Sequence, residues 1–199
     1  SLASFHNITI INKDILTVDM AALLEPSNVT YKVVANLPYY ITSPVLRHFL
    51  EAPVKPEMMV VMVQKEVAAE IAAEPGRMSL LSVGIQLYGK PAILEYVPAR
   101  SFYPAPQVDS ALLKITPYPC PAVEVDDSEG FFVVVRAGFS AARKQLANSL
   151  AQGLELPKVE VLSGLEEAGI TPQRRAETLT LEEWAQLWRI FARRGVSAC

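Results

Sequence analysis

Residues 33–40, Val33-Val34-Ala35-Asn36-Leu37-Pro38-Tyr39-Tyr40, form an apolar run that ends in an amide, a proline and two phenols. The apolar part predicts a buried strand, so the polar residues lie at the carboxyl end of that strand. In open α/β sheets, ligands bind in the crevice outside the carboxyl ends of the strands. We therefore predict a functional site at Asn36 to Tyr39 in an α/β fold.

The residue types after this strand suit transfer of a methyl group to an amino group on an aromatic ring. Such an amine is a poor nucleophile, so a catalyst must accept its hydrogen bonds while the nitrogen becomes tetrahedral. The carboxamide oxygen of Asn36 can accept one, and Pro38, which fixes φ, can hold the Leu37 carbonyl as a second acceptor. Tyr39 offers a flat face on which a base can stack. Asn and Pro are also frequent in ordinary turns, so a plain strand-to-helix turn is the alternative.

A second segment, Ser101-Phe102-Tyr103-Pro104-Ala105-Pro106-Gln107-Val108-Asp109-Ser110, lies between two strand-like runs. Its prolines exclude a helix and restrict the loop at little cost in folding entropy. Such a loop could present Phe102 as a second aromatic wall, so that Tyr39 and Phe102 enclose one flipped base. The alternative is that Phe102 fills a gap in the core.

Together, the two segments resemble the ribosomal RNA adenine dimethyltransferase family. The resemblance rests on Asn36-Leu37-Pro38-Tyr39 followed by the pattern Phe102-x-Pro-x-Pro-x-Val-x-Ser. Further stretches are similar to the KsgA/RsmA branch of that family: residues 40–44, 62–68, 75–76 before 81–83, 142–146 and 175–179. The resemblance therefore extends through much of the chain.

The resemblance implies a target and a reaction. Members of this branch transfer methyl groups from S-adenosylmethionine to N6 of two adjacent adenines near the 3′ end of small-subunit (16S) ribosomal RNA, during ribosome biogenesis. By resemblance, Asn36 and the Leu37 carbonyl hold N6, with Pro38 completing the catalytic turn. Tyr39 and Phe102 sandwich the adenine, and the partner is ribosomal RNA in an immature small subunit.

The cofactor site that the resemblance implies is only partly present in the sequence. Asp14, Ile15 and Asn36 match cofactor-binding positions. The family's first strand, its glycine-rich loop and a second strand ending in an acidic residue are missing, and no Gly-x-Gly pair occurs anywhere. Residues 8–14 are similar to the third strand of the fold. We therefore expect an N-terminally truncated enzyme that is inactive alone.

Truncation would leave two strands without their usual neighbours. The strand at 8–14 would lose its partner, and the edge at 32–36 would be exposed. We expect these segments to pair elsewhere in the chain, to pair between chains, or to be disordered. An unpaired apolar edge favours self-association.

Strand-like segments alternate with helical patterns, which predicts an α/β fold. The strands are expected near 8–14, 31–36, 57–63, 93–97 and 110–116. Ser43 before Pro44 predicts a helix N-cap, and Trp184 and Trp188, at i and i+4, predict a shared buried face. We predict a truncated methyltransferase catalytic domain at 1–118 with a partial Rossmann-like sheet, a linker at 119–130 and a small helical RNA-contacting domain at 131–199.

Basic residues are concentrated in the C-terminal half, although the net charge is −3. The negative sum argues mildly against nucleic acid, because phosphate neutralisation normally dominates affinity. With the family resemblance, we expect Arg143 and Lys144 to contact RNA. The alternative is a solvated face balanced by Glu166, Glu167, Glu182 and Glu183.

Composition indicates an intracellular protein without a metal centre. The chain has 199 residues and is 51% hydrophobic. Its apolar runs are too short to span a bilayer and its start has no signal-peptide layout, so the cytoplasm is the expected location. Cys120 and Cys199 are far apart and form no Cys-x-x-Cys, so neither a metal site nor a disulfide framework is indicated.

Three functions remain open from the sequence. The first is dimethylation of small-subunit ribosomal RNA, which Leu37, Tyr40 and the helical tail favour. The second is the same chemistry on an adenine of large-subunit RNA or DNA. The third is a non-enzymatic RNA-binding or assembly protein. Cofactor titration separates the third, because a pure binder shows no stabilisation by S-adenosylmethionine.

Overall fold

The computed structural model describes residues 5–25, 30–141 and 143–196, so Ala142 and Cys199 lie outside the described residues. The strands are β1 Lys32–Asn36, β2 Met58–Gln64, β3 Gly89–Val97 and β4 Ser110–Pro117. The helices are α1 Met20–Leu23, α2 Thr42–Leu50, α3 Lys65–Ile71, α4 Leu80–Gln86, α5 Ser128–Phe139, α6 Leu146–Gly153, α7 Lys158–Glu167 and α8 Leu181–Arg193. Short 3-10 turns occur at Ile15–Thr17, Tyr39–Ile41, Ala99–Ser101 and Ala176–Thr178. Within the described ranges, none of these helices is both long and apolar enough to cross a membrane.

The strands form one mixed sheet in the order β1-β2-β4-β3. β1 runs parallel to β2, with Asn36 opposite Met62, whereas β4 is antiparallel to both β2 and β3. Met59, Val61 and Val63 of β2 are fully buried, because a strand places alternate side chains on the same face. The prediction of an α/β fold is confirmed.

β1 is an edge strand among the described residues. Val34, in the middle of β1, is 79% exposed. The strand predicted at 8–14 is not formed, and Ile10 in that segment is 76% exposed. A strand needs a partner for its backbone N–H and C=O groups, and within the described chain no strand pairs with this segment. The strand prediction was therefore wrong, and among the described residues β1 pairs on one side only, with β2.

The prediction that Ser43 caps the helix after β1 was wrong, because the N-cap lies two residues earlier, at Ile41. The 3-10 turn Tyr39–Ile41 runs directly into α2, which starts at Thr42 with Ile41 at its N-cap. Pro44 thus lies inside the first helical turn, where an N–H would have no intrahelical acceptor. The missing donor of the proline is tolerated there, so α2 continues to Leu50.

Among the residues that the structure describes, buried apolar side chains form two clusters, and α4 contributes to both. We call one the sheet cluster, because it joins β1, β2 and β4 to α2 and α3, and the other the helical cluster, because most of it comes from α5 to α8. Ile85 of α4 belongs to the sheet cluster, whereas Val83 of α4 and Leu87, which directly follows the helix, belong to the helical cluster. Trp184 and Trp188 are both buried in the helical cluster, which confirms their predicted shared face.

An ion pair anchors the start of α8. Both terminal guanidinium nitrogens of Arg174 donate to the Glu183 carboxylate, and the Nη2–Oε2 distance is 2.9 Å. The Thr180 N–H also donates to Glu183 Oε2, at 2.8 Å, and so completes a capping box. The bond from Arg174 holds the pKa of Glu183 below its ordinary value of 4.5.

We expect the substitution Glu183→Gln to lower the free energy of unfolding by about 1–2 kcal/mol at neutral pH, because it removes a charge-assisted pair that is partly screened by solvent. The folded-state pKa is the lower one, so this stabilisation is present above the unfolded value near 4.5 and is lost as the pH falls through the folded value. Urea denaturation at neutral pH and in acid measures both effects. Glu166→Gln, at an exposed position, is the control and should change little at either pH. An equal loss for Glu183→Gln under both conditions would contradict the assignment.

Candidate functional site

β1 ends at Asn36, and the next residues turn tightly into α2. The Leu37 N–H donates to the Met62 carbonyl of β2 at 3.4 Å, and the Leu37 side chain is buried in the sheet cluster. The Ile41 N–H donates to the Pro38 carbonyl at 3.1 Å, which closes the 3-10 turn. Leu37 thus anchors the turn from inside, while Asn36 stays exposed at its start.

This turn and the proline-rich loop line one open cleft of about 300 Å³. The lining consists of Asn36, Leu37, Pro38 and Tyr39 from the turn, Phe102, Tyr103, Pro104 and Pro106 from the loop, and Met62 from β2. All four predicted catalytic residues and both predicted stacking residues therefore share one site. Their roles in catalysis and stacking stay predictions.

The phenol hydroxyl of Tyr39 forms a hydrogen bond with the protein. Its oxygen lies 2.9 Å from the hydroxyl oxygen of Ser110, the first residue of β4, and Ser110 is fully buried. No residue pattern predicted this bond, although Ser110 closes the motif that begins at Phe102. The cleft can therefore offer a base the carboxamide of Asn36 and the ring faces of Tyr39 and Phe102.

Asp109 ties the base of the proline-rich loop to the sheet. Its Oδ1 accepts from the Ala99 N–H at 3.0 Å, at the start of the turn that leads to Phe102. Its carbonyl accepts from the Lys65 N–H at 3.0 Å, and Lys65 Nζ lies 3.9 Å from Asp109 Oδ2. The loop that carries Phe102 is therefore held by residues directly beside Ser110.

The predicted cofactor residues are only partly brought together. Asn36 lines the cleft, whereas Asp14 and Ile15 are not among its lining residues. Asp14 Oδ1 accepts from the Leu16 N–H at 3.0 Å, and Ile15 packs against the sheet cluster. The sequence has no Gly-x-Gly pair, and the described residues do not complete a site that would hold S-adenosylmethionine.

The structure separates the basic residues into two groups. Arg193 and Arg194 both bind the Glu167 carboxylate, at 2.8 and 2.7 Å. Arg143 and Lys144 are exposed between α5 and α6, and within the described residues neither forms an ion pair. Lys144 Nζ donates instead to the neutral amide oxygen of Gln152, at 2.9 Å. Within the described residues, the positive charges of Arg143 and Lys144 are therefore not neutralised by a carboxylate.

A family model described as Ribosomal RNA adenine dimethylase matches residues 1–193. The chain belongs to this family. A curated relative from Dehalococcoides mccartyi, named Ribosomal RNA small subunit methyltransferase A, is 51% identical over 189 residues. That alignment covers 94% of this chain and 64% of the relative, so the chain spans about two thirds of the relative's length.

Two solved structures share the fold. The crystal structure of the 23S rRNA methyltransferase ErmE is 27% identical, with a TM-score of 0.68, and the match covers 96% of this chain and 75% of that one. A dimethyladenosine transferase from Plasmodium falciparum is 24% identical with a TM-score of 0.71, covering 83% and 68% of the two chains. These matches support the methyltransferase fold that was expected for the α/β sheet.

Proposed function

We propose that the protein takes part in the S-adenosylmethionine-dependent dimethylation of N6 on two adjacent adenines near the 3′ end of small-subunit ribosomal RNA. The observation that carries the proposal is the cleft in which Asn36 and Tyr39 meet Phe102. Membership of the dimethylase family and the name of the Dehalococcoides relative support it. We further propose that the protein binds this RNA within an immature small subunit in the cytoplasm.

In this proposal the chain's own residues recognise and orient the target adenine. The carboxamide oxygen of Asn36 and the carbonyl of Leu37 accept hydrogen bonds from the N6 amine, which directs the nitrogen lone pair away from the ring plane. Tyr39 and Phe102 stack on the two faces of the flipped base. S-adenosylmethionine, when bound, supplies the activated methyl group. Catalysis by these residues is then mainly positioning, with acceptors arranged for the positive charge that develops on N6.

We propose that the 199-residue polypeptide is inactive alone, because its described residues do not complete a cofactor site. The test compares this polypeptide with its parent protein, by which we mean the natural chain that contains these residues. Calorimetric titration with S-adenosylmethionine and transfer of a labelled methyl group to small-subunit RNA are measured for both. The proposal expects binding and transfer by the parent and neither by the polypeptide. A parent that binds the small-subunit RNA and transfers no methyl group would favour an RNA-binding or assembly role.

A second candidate is the same reaction on large-subunit RNA. The structural match to the 23S rRNA methyltransferase ErmE favours it, although that match has lower identity than the small-subunit relative. Parallel transfer assays on immature small subunits and on protein-free large-subunit RNA separate the two. If only the large-subunit RNA is methylated, the proposed target in the small-subunit RNA is wrong and the large-subunit RNA takes its place.

We expect the double substitution Arg143→Ala with Lys144→Ala to weaken RNA binding by the parent protein and to flatten its salt dependence. Each phosphate contact contributes about one unit to the slope of log K against log salt, so the loss is up to about two units. Fluorescence anisotropy over a range of salt concentrations measures the slope.

The matched control for this surface is Arg175→Ala with Arg193→Ala. Both control residues are exposed arginines that already face carboxylates, Glu177 at 3.8 Å and Glu167 at 2.8 Å. The control also removes two positive charges, and its slope should stay near that of the wild type. Equal slopes for both double variants would place the RNA surface elsewhere.

A further inference from the structure

Ser110 carries a buried hydroxyl at the start of β4. The residue is fully buried, and its oxygen lies 2.9 Å from the phenol oxygen of Tyr39, 71 positions away in the sequence. A buried hydroxyl is costly unless it is hydrogen-bonded, and Tyr39 provides that bond. The bond therefore joins the core of the sheet to a side chain that lines the cleft.

The bond fixes the position of the Tyr39 ring. The backbone of Tyr39 is held by the 3-10 turn that follows β1, and its phenol oxygen is held by β4. With both ends of the ring axis held, the ring must break this hydrogen bond to swing into the cleft or out toward solvent. Loss of the hydroxyl at either Ser110 or Tyr39 would release the phenol end of the ring and leave the Tyr39 backbone in place.

The opposite aromatic wall is held from the same point of the sheet. Asp109, next to Ser110, accepts the Ala99 N–H at 3.0 Å, in the turn that precedes Phe102. Its carbonyl accepts the Lys65 N–H at 3.0 Å, at the start of α3. Two adjacent residues at the start of β4 thus hold both walls of the cleft: Ser110 holds Tyr39, and Asp109 holds the turn before Phe102. We infer that they set the distance between the two rings.

We propose that Ser110 is a positioning residue that holds the Tyr39 ring at the separation from Phe102 needed to admit one purine base. The inference rests on the proposed adenine methylation and adds a residue to it. Ser110 is fully buried and acts only through Tyr39. Its effect should therefore appear in the step after RNA binding, when the flipped base enters the cleft.

The test is a double-mutant cycle in the parent protein with Ser110→Ala, Tyr39→Phe and both together. Each single variant should lower kcat about tenfold, while KM for the RNA changes by less than about twofold. The double variant should also fall about tenfold, and not about 100-fold, because both substitutions remove the same bond. A second measurement uses RNA with 2-aminopurine at the target position, whose fluorescence reports stacking in the cleft without methyl transfer. The two single variants should show the same reduced quenching.

Ser82→Ala is the matched control. Ser82 is equally buried, but its hydroxyl donates within its own turn, to the Ser79 carbonyl at 2.9 Å. This variant should lower the thermal midpoint and leave kcat unchanged, so a loss of kcat with Ser110→Ala is not a general effect of removing a buried hydroxyl. If Ser110→Ala does not fold, Tyr39→Phe tests the same bond from a partly exposed residue.

Two results would overturn the inference, and a third concerns only the proposed function. Wild-type kcat and quenching in Tyr39→Phe, or losses that multiply in the double variant, would show that the bond does not position the ring. Absence of methyl transfer from the wild-type parent would overturn the proposed function instead. In that case the quenching measurement still decides whether Ser110 and Tyr39 act together on a stacked base.

Discussion

Asn36→Ala in the parent protein is expected to lower kcat by about 100-fold, which corresponds to about 3 kcal/mol of transition-state stabilisation. The substitution removes the carboxamide acceptor that we assign to the N6 amine. Asn36 is exposed at the end of β1, so its truncation should cost little stability. RNA affinity should stay within about twofold, because phosphate contacts supply most of it. Single-turnover methyl transfer, RNA binding and thermal unfolding of the same preparation measure the three quantities.

Two further variants sharpen this prediction. Lys32→Ala changes an exposed residue at the other end of β1, on the same face as Asn36, and should keep wild-type kcat. Asn36→Asp keeps oxygen acceptors at the site and should retain more activity than Asn36→Ala. Wild-type turnover by Asn36→Ala would refute the acceptor role. An equal loss in the alanine and aspartate variants would point to the amide nitrogen instead.

The sheet could be predicted where each strand carries its own pattern. β2 alternates buried and half-buried residues, and its position agrees with the predicted segment 57–63 within one residue at each end. Residues 8–14 show a similar apolar pattern, yet they form no strand. A local pattern records which residues favour a strand, but a strand also requires a partner, and the sequence of one segment does not contain that information.

The cleft could not be predicted from residue patterns alone, because it is formed by segments that are far apart in the sequence. Tyr39 and Phe102 line one cleft because β1 pairs with β2, β2 pairs with β4, and the proline-rich loop ends where β4 begins. The family resemblance implied this meeting, whereas residue patterns alone left open that each aromatic had a different role. The bond between Ser110 and Tyr39 was not predicted, because a serine in a motif does not identify a partner 71 residues away.

The basic residues illustrate the same limit. Arg174, Arg193 and Arg194 look as available for RNA in the sequence as Arg143 and Lys144 do. In the structure the first three are bonded to Glu183 or Glu167, residues that lie 9 to 27 positions away. The Glu167 pairs depend on how α7 and α8 pack, and the Arg174–Glu183 pair depends on how the loop before α8 folds. Residue patterns alone therefore could not separate the two groups, and only the family resemblance favoured Arg143 and Lys144.

Tyr39→Ala and Phe102→Ala are each expected to lower kcat/KM by about 10- to 100-fold in the parent protein, because base–aromatic stacking contributes about 1–3 kcal/mol per base. Both rings line the cleft, so each truncation leaves one face of the flipped adenine without a wall. An adenine without this stacking would more often leave the cleft and return to its position in the RNA before methyl transfer occurs. Methyl-transfer kinetics with RNA containing the target adenine, together with 2-aminopurine fluorescence at that position, measure transfer and stacking separately.

Tyr40→Ala provides the control for these two substitutions. Tyr40 is the neighbour of Tyr39 and is 86% exposed, and it is not among the residues that line the cleft. Loss of its ring should leave both transfer and fluorescence near wild-type values, although the change in side-chain volume equals that of Tyr39→Ala. Full activity in both Tyr39→Ala and Phe102→Ala would end the sandwich model. A loss in only one of them would mean that the adenine stacks on a single wall, and that the other ring closes the cleft without contacting the base.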